Sequence, residues 1–171
     1  DFKKDVEESI QLLKAFDEHE SVKSLAIKLK GHLPIIYATD AADAIAIRLR
    51  QQINENGKQL CWHHIIPEMN HNELVGWHHP EALMDQLHVL FLHTSADHPR
   101  NEVRIELNEE IIQKHTPNTS HIHAKGKSHL AQLLYLLHYS DWLSVYLAEA
   151  NKVEATPVKV IDYLKGELAK R

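Results

Sequence analysis

Two short stretches concentrate the side chains able to move protons. Asn54-Glu55-Asn56-Gly57-Lys58 sets a carboxylate among two amides, a glycine and an ammonium group. Pro67-Glu68-Met69-Asn70-His71-Asn72-Glu73 sets an imidazole between amides, with carboxylates on either side. A proton on carbon next to a carbonyl is removed by a positioned base, which works best when partial burial draws its pKa toward neutrality. The enediolate left behind needs cationic or hydrogen-bond-donating neighbours. Small amides around a carboxylate and an imidazole suit a hydroxyl-rich ligand of the sugar type. A single Glu at a helix end, or one His among fifteen, is ordinarily a solvated or capping group, so the reading rests on the two segments as wholes.

The elements that must position these groups follow from periodicity. Apolar residues at helical spacing (Val6, Ile10, Leu13, Phe16) predict a helix over 6–16, and a second amphipathic run covers 22–29 before Gly31. Residues 33–38 form an apolar run rich in β-formers, followed by Thr39-Asp40 and a helical pattern over 41–53. Further strands are expected at 61–66, 87–94 and 121–124, and helices at 100–115, 127–138, 140–149 and 157–168. Such alternation predicts an α/β fold, a three-layer α/β/α sandwich around a mostly parallel sheet. In that architecture the segments beyond the carboxyl ends of the strands line the ligand crevice, and residues 69–73 fall there. Strand order is not encoded in the periodicity.

Several segments, in order across nearly the whole chain, carry a resemblance. They are Gly31-His32-Leu33-Pro34-Ile35-Ile36-Tyr37, Asn54-Glu55-Asn56-Gly57-Lys58, Pro67 to Trp77, Gly126-Lys127-Ser128-His129-Leu130-Ala131-Gln132, Asp141-Trp142-Leu143-Ser144-Val145-Tyr146-Leu147-Ala148, and Thr156-Pro157-Val158 leading to Ile161 and Leu164-Lys165. Together they resemble the C-terminal sugar isomerase (SIS) domain of the bifunctional phosphoglucose/phosphomannose isomerases. The Glu-Asn-Gly-Lys core is also similar to the Glu-Ser-Asn-Gly-Lys segment of conventional phosphoglucose isomerases.

The resemblance implies a SIS-type, flavodoxin-like doubly wound sheet over 31–171, with 1–30 as a helical connector from a missing upstream SIS domain. It implies that Glu55 is the base that shuttles a proton between C1 and C2 of the open-chain sugar. His71 would help open the ring, reaching across from the neighbouring subunit of a homodimer, and Lys165 would assist at the ring oxygen or its hydroxyl. Asn56, Asn70, Asn72 and Thr156 are the implied substrate-binding residues. The expected partners are the sugar phosphates fructose 6-phosphate, glucose 6-phosphate and mannose 6-phosphate, with no cofactor and no metal. Glu73 has two readings, orienting His71 or capping the following helix. Thr156, just before Pro157, reads as an N-cap or as a hydroxyl near C2 of the sugar.

Two features depart from the family. Glu154-Ala155 stands where Asp-Pro is common before the Thr-Pro-Val segment, which bears on how the last helix presents Lys165. The Ser/Thr-rich phosphate loop and the arginine that the family's first SIS domain supplies have no counterpart, and only five glycines are present. The chain also starts without Met, so it is expected to begin inside a longer one and to be inactive, or nearly so, as an isolated second half.

Composition narrows the class further. A net charge of -5, with Lys and Arg dispersed, gives no basic stripe for nucleic acid. No apolar run approaches the ~18 residues a membrane span requires, and a lone Cys61 cannot form an internal disulfide. A cytoplasmic protein is the default expectation. A competing class is a non-catalytic phosphosugar-binding SIS module of a regulator, against which the intact Glu55 and His71 segments count. Another is metal binding, suggested by His63-His64, His78-His79 and His121-Ile122-His123. No His-Glu-x-x-His or paired-Cys spacing occurs; His121 and His123, alternating along an expected strand, would make half a site, and adventitious binding rather than a functional metal is the expectation.

Overall fold

Leu33-Pro34-Ile35-Ile36-Tyr37-Ala38-Thr39 is apolar on both strand parities, the pattern of a strand covered on both faces. In the computed structural model, which describes residues 1–171, it forms β1 (Leu33–Thr39) inside a four-stranded sheet. The other strands are β2 (Trp62–Ile66), β3 (Leu87–His93) and β4 (Thr119–His123). Their order is β2-β1-β3-β4, and every neighbouring pair is parallel.

Alternation divides the core in two. Ile36, Ala38, Leu90, Leu92 and Ile122 face a helical layer made of α1 (Phe2–Lys14), α2 (His19–Leu29), α3 (Asp43–Glu55) and α6 (His129–Asn151). Tyr37, Val89 and Phe91 face the opposite way, toward α4 (Met69–Asn72), α5 (Pro99–Ile112) and short 3₁₀ turns at Leu74–Gly76 and Glu81–Gln86. The result is the three-layer sandwich expected. Val22, Leu25, Ala26 and Leu29 build α2 into the core, packed against α6.

Several expected boundaries are corrected; β4 begins at Thr119 rather than 121, and α1 ends at Lys14 rather than 16. The helices foreseen at 127–138 and 140–149 are one continuous 23-residue α6. Ser140, at the expected break, donates its hydroxyl to the Leu136 carbonyl (2.7 Å) and so stays within the helix. The last helix, α7 (Lys159–Leu168), starts later than 157; Val158 is its N-cap, without a side-chain hydrogen bond, and Thr156 lies ahead of it. The capping role foreseen for Thr156 is therefore not realised. No residue of α7 is buried, and Val160, Ile161, Leu164 and Leu168 leave an apolar face open. No helix is long and apolar enough to cross a membrane.

Direction matters most for the site. α3 leaves the carboxyl end of β1 and returns to the amino end of β2, so Glu55 lies at the amino end of the sheet. His71 follows β2 and lies at the carboxyl end. With seven residues in β1 at about 3.3 Å each, the two ends are on the order of 20 Å apart.

Candidate functional site

Glu55 is the last residue of α3, exposed on the wall of an open cleft of about 560 Å³. Asn54, Lys58, the 153–158 connection with a second carboxylate at Glu154, and the first turn of α7 also line it. The turn that presents the carboxylate is held closely. A Cβ on Gly57 would lie 2.7 Å from the Ile53 carbonyl oxygen and 3.1 Å from Leu147, so only glycine fits between α3 and α6. Lys58, at φ 51, donates to the Glu55 carbonyl (2.6 Å) and to the Ala155 carbonyl (3.0 Å), tying this turn to the 153–158 connection. Asn151 at the end of α6 donates to the Gly57 carbonyl (3.0 Å) and to Gln59 (2.9 Å).

Asn56 serves this support rather than the cleft. Its amide donates to the Ser144 hydroxyl on α6 (2.9 Å), beside the bond from Gln52 to Asp141 (2.5 Å). Asn54 likewise donates to backbone carbonyls of Arg50 and Cys61. The amides flanking Glu55 thus tie the turn that carries it to α3, to α6 and to the residue before β2.

At the carboxyl end, His71 and Asn72 are exposed on α4. Asn70 turns inward and donates to Asn108 on α5. Glu73 does not orient His71. It accepts from the Tyr37 hydroxyl (2.5 Å) and pairs with His64 Nδ1 (2.7 Å), while the Trp77 indole N–H donates to Tyr37 (3.2 Å). Burial first, then the Glu73 charge, pushes the Tyr37 hydroxyl above its ordinary range. Trp77 is buried beside a separate cleft of about 260 Å³.

The crevice between β1 and β3, where strand order reverses and a doubly wound sheet most often binds its ligand, is knitted by its own side chains. Thr39 donates to Asp97, Ser95 N–H to Gln132 (2.9 Å), and Gln132 to the Ser95 hydroxyl (2.5 Å) and the Gly126 carbonyl (3.0 Å). Gln132 belongs to one of the resembling segments. Nothing local flags Thr39 or Asp97, which meet only once the chain has folded.

Within one chain, then, Glu55 and the start of α7 share a cleft, His71 lies at the far end of the sheet, and Lys165 is exposed on α7 outside the residues lining that cleft. The sequence also missed His93. It sits beside His121 and His123, and its ring is kept below its ordinary pKa by burial and by the His123 charge.

A four-stranded, all-parallel sheet ordered 2-1-3-4, with helices on both faces, defines a doubly wound α/β domain, and relatives sharpen the class. The chain matches the model of the bacterial phospho-glucose isomerase C-terminal SIS domain over residues 18–168 and belongs to that family. It is 36% identical over 170 residues to a bifunctional phosphoglucose/phosphomannose isomerase of Aquifex aeolicus, covering 99% of this chain and 51% of that protein. A protein of the same description from Caldicellulosiruptor bescii is 36% identical over 154 residues, covering 90% and 45%. The chain thus spans about half the length of the curated relatives it matches. Among solved structures, a glucose-6-phosphate isomerase like protein from Thermus thermophilus superposes with TM-score 0.66 at 21% identity, covering 78% of this chain and 44% of that one. At that identity the likeness shows the fold.

Proposed function

We propose that this chain is the base-bearing half of an aldose-ketose isomerase that interconverts glucose 6-phosphate, and mannose 6-phosphate, with fructose 6-phosphate. The observation that carries the reading is the placement of Glu55, the family's base position, on an open cleft by a turn that Gly57 and Lys58 hold in one arrangement. Curated relatives described as bifunctional phosphoglucose/phosphomannose isomerases support the substrate class.

In this reading Glu55 takes the proton from C2 of the open-chain aldose, or C1 of the ketose, and returns it to the neighbouring carbon of the enediolate. His71 protonates or deprotonates the sugar during ring opening, and Lys165 assists at the ring oxygen or its hydroxyl. Asn72 and Thr156, both exposed, remain available to sugar hydroxyls; Asn56 and Asn70 contribute by anchoring their segments to Ser144 and Asn108. Because Glu55 and His71 occupy opposite ends of one sheet, a site containing both needs the His71 end of a second subunit, which supports a homodimer. The open apolar face of α7 fits a segment that docks on another body, there placing Lys165. An upstream SIS domain supplies the phosphate loop, and the isolated chain is inactive or nearly so. A cytoplasmic location accords with this metabolism.

The test is Glu55→Gln in a full-length protein joining this chain to a first SIS domain. Isomerisation of fructose 6-phosphate disappears while sugar-phosphate binding by calorimetry persists. Retained turnover overturns the assignment of the base, and a wild-type protein that binds sugar phosphates without turning them over points instead to a regulatory module.

A further inference from the structure

The fifteen histidines are not scattered evenly. His63 and His64 point to opposite faces of β2, toward Asp43 and Glu73. His78 packs on His115 with ring centroids 4.6 Å apart. A third group behaves differently. The register of β3 and β4 sets His93 opposite His123, and alternation puts His121 on the same face. The His93 and His123 rings stack at 4.2 Å, and one nitrogen from each of the three rings lies within 4.8 Å of the others.

The outer nitrogens of two of these rings are already engaged by carboxylates. His93 Nδ1 lies 3.3 Å from Glu102, and His121 Nε2 lies 3.0 Å from Glu109, both on α5. Their inner nitrogens, His93 Nε2 and His121 Nδ1, face each other at 2.8 Å. A neutral imidazole has one N–H and a carboxylate only accepts. Glu102–His93–His121–Glu109 therefore contains three contacts that each need a donated proton, and two neutral rings supply two. A cation between the two inner nitrogens lets each ring give its one N–H to its carboxylate.

We propose that His93, His121 and His123 form a binding site for one divalent cation of the Zn²⁺ type, held between the carboxyl-terminal halves of β3 and β4. Neutral imidazole is a preferred ligand for such borderline ions. The arrangement in which each ligating ring donates its second N–H to a carboxylate is the usual outer shell of a histidine-bound zinc, and Glu102 and Glu109 provide it for two of the three rings. Zinc–nitrogen bonds of about 2.0–2.1 Å require ligand nitrogens roughly 3.4 Å apart. The spacings here, from 2.8 Å to within 4.8 Å, bracket that value, and His123, exposed on an edge strand, has room to turn. Three imidazoles leave a fourth position for water or an anion. The ion would fasten the edge strand β4 to β3 and, through the carboxylates, to α5. None of this involves Glu55 or its cleft, which lies at the amino end of the sheet.

The experiment titrates chelator-treated protein with Zn²⁺ by calorimetry and with Co²⁺ by visible absorption. One equivalent per chain is expected, with the intense bands of a four-coordinate Co²⁺ centre and a Zn²⁺-dependent rise in the thermal midpoint. His123→Ala abolishes the Co²⁺ bands and the thermal rise. Glu109→Gln, which keeps all three ligands, weakens Zn²⁺ about 10- to 100-fold. A His78→Ala/His79→Ala double variant binds as the wild type does. His93→Ala is expected to lose the site as His123→Ala does; should it fail to fold, the exposed His123 and the Glu109 variant still decide. Zn²⁺ binding equal in wild type and His123→Ala, binding lost instead in the His78/His79 variant, or no binding at all overturns the site.

Discussion

The two ends of the sheet present opposite solutions. At the carboxyl end, between β1 and β3, Thr39–Asp97 and Gln132–Ser95–Gly126 hydrogen-bond to one another across the crevice where a doubly wound sheet commonly takes its ligand. At the amino end, Asn56, Lys58 and Asn151 direct their bonds inward to the backbone and to α6, leaving Glu55 facing an open cleft. The contrast teaches that strand polarity alone does not locate a carboxylate open to a ligand. A helix that returns to the amino end can present one, and on the proposed reading a partner's carboxyl end supplies the groups a single chain holds out of reach.

The largest expected effect lies at the amino end. On the proposed reading, Glu55→Gln lowers kcat of the full-length protein by about 10²- to 10⁴-fold, the range a positioned acid-base group provides, and leaves the urea midpoint unchanged. Thr39→Val, at the carboxyl end, reverses the pattern. It costs about 1–3 kcal/mol of stability by leaving Asp97 without its hydroxyl partner, measured by urea unfolding, with kcat within twofold. Exchanged outcomes for these two variants would abolish the distinction between the ends.

A pH test sharpens the same contrast. His88, near the amino end of β3, is pushed down to about 4 from 6.5 by burial and by His32 and Lys28 nearby. The unfolded chain therefore takes up the proton first as pH falls. The associated stability is complete above about pH 6.5 and is lost toward pH 4 at roughly 1.4 kcal/mol per pH unit. Urea midpoints compared between about pH 7 and about pH 5 should fall more steeply for wild type than for His88→Gln, and parallel curves would contradict this. Gly57→Ala costs about 1–3 kcal/mol, because the added methyl group meets the Ile53 carbonyl. It also raises KM by shifting the Glu55 turn, whereas Gly76→Ala, with open space around its Cβ position, does neither. The smallest effect concerns Cys61, whose thiol burial pushes up to about 12. Thiol reagents label it only as fast as the protein unfolds.

β1 and β3 were legible in the sequence because each is a short apolar run bounded by turn residues, and the sandwich followed from the alternation of strands with amphipathic helices; β4, with Ile122 as its one apolar residue, begins before the expected 121. The single α6 was not, since Ser140-Asp141 looks like a break until Ser140 is seen bonding back to Leu136. At the site, the Glu55 segment stood out through its own residues, whereas the partner of Glu73 did not, because Tyr37 lies 36 positions away. His121 and His123 announced half a cluster. The third ring required knowing that β3 neighbours β4, a fact of strand order that no local pattern carries.

The claim that one working site joins opposite ends of two subunits is tested most directly by complementation. Glu55→Gln and His71→Asn variants of the full-length protein, each without activity alone, are unfolded, mixed in equal amounts and refolded together. Mixed dimers should recover about a quarter of wild-type turnover, since half the dimers are mixed and each contains one intact site. A mixture as inactive as its components would contradict the shared site.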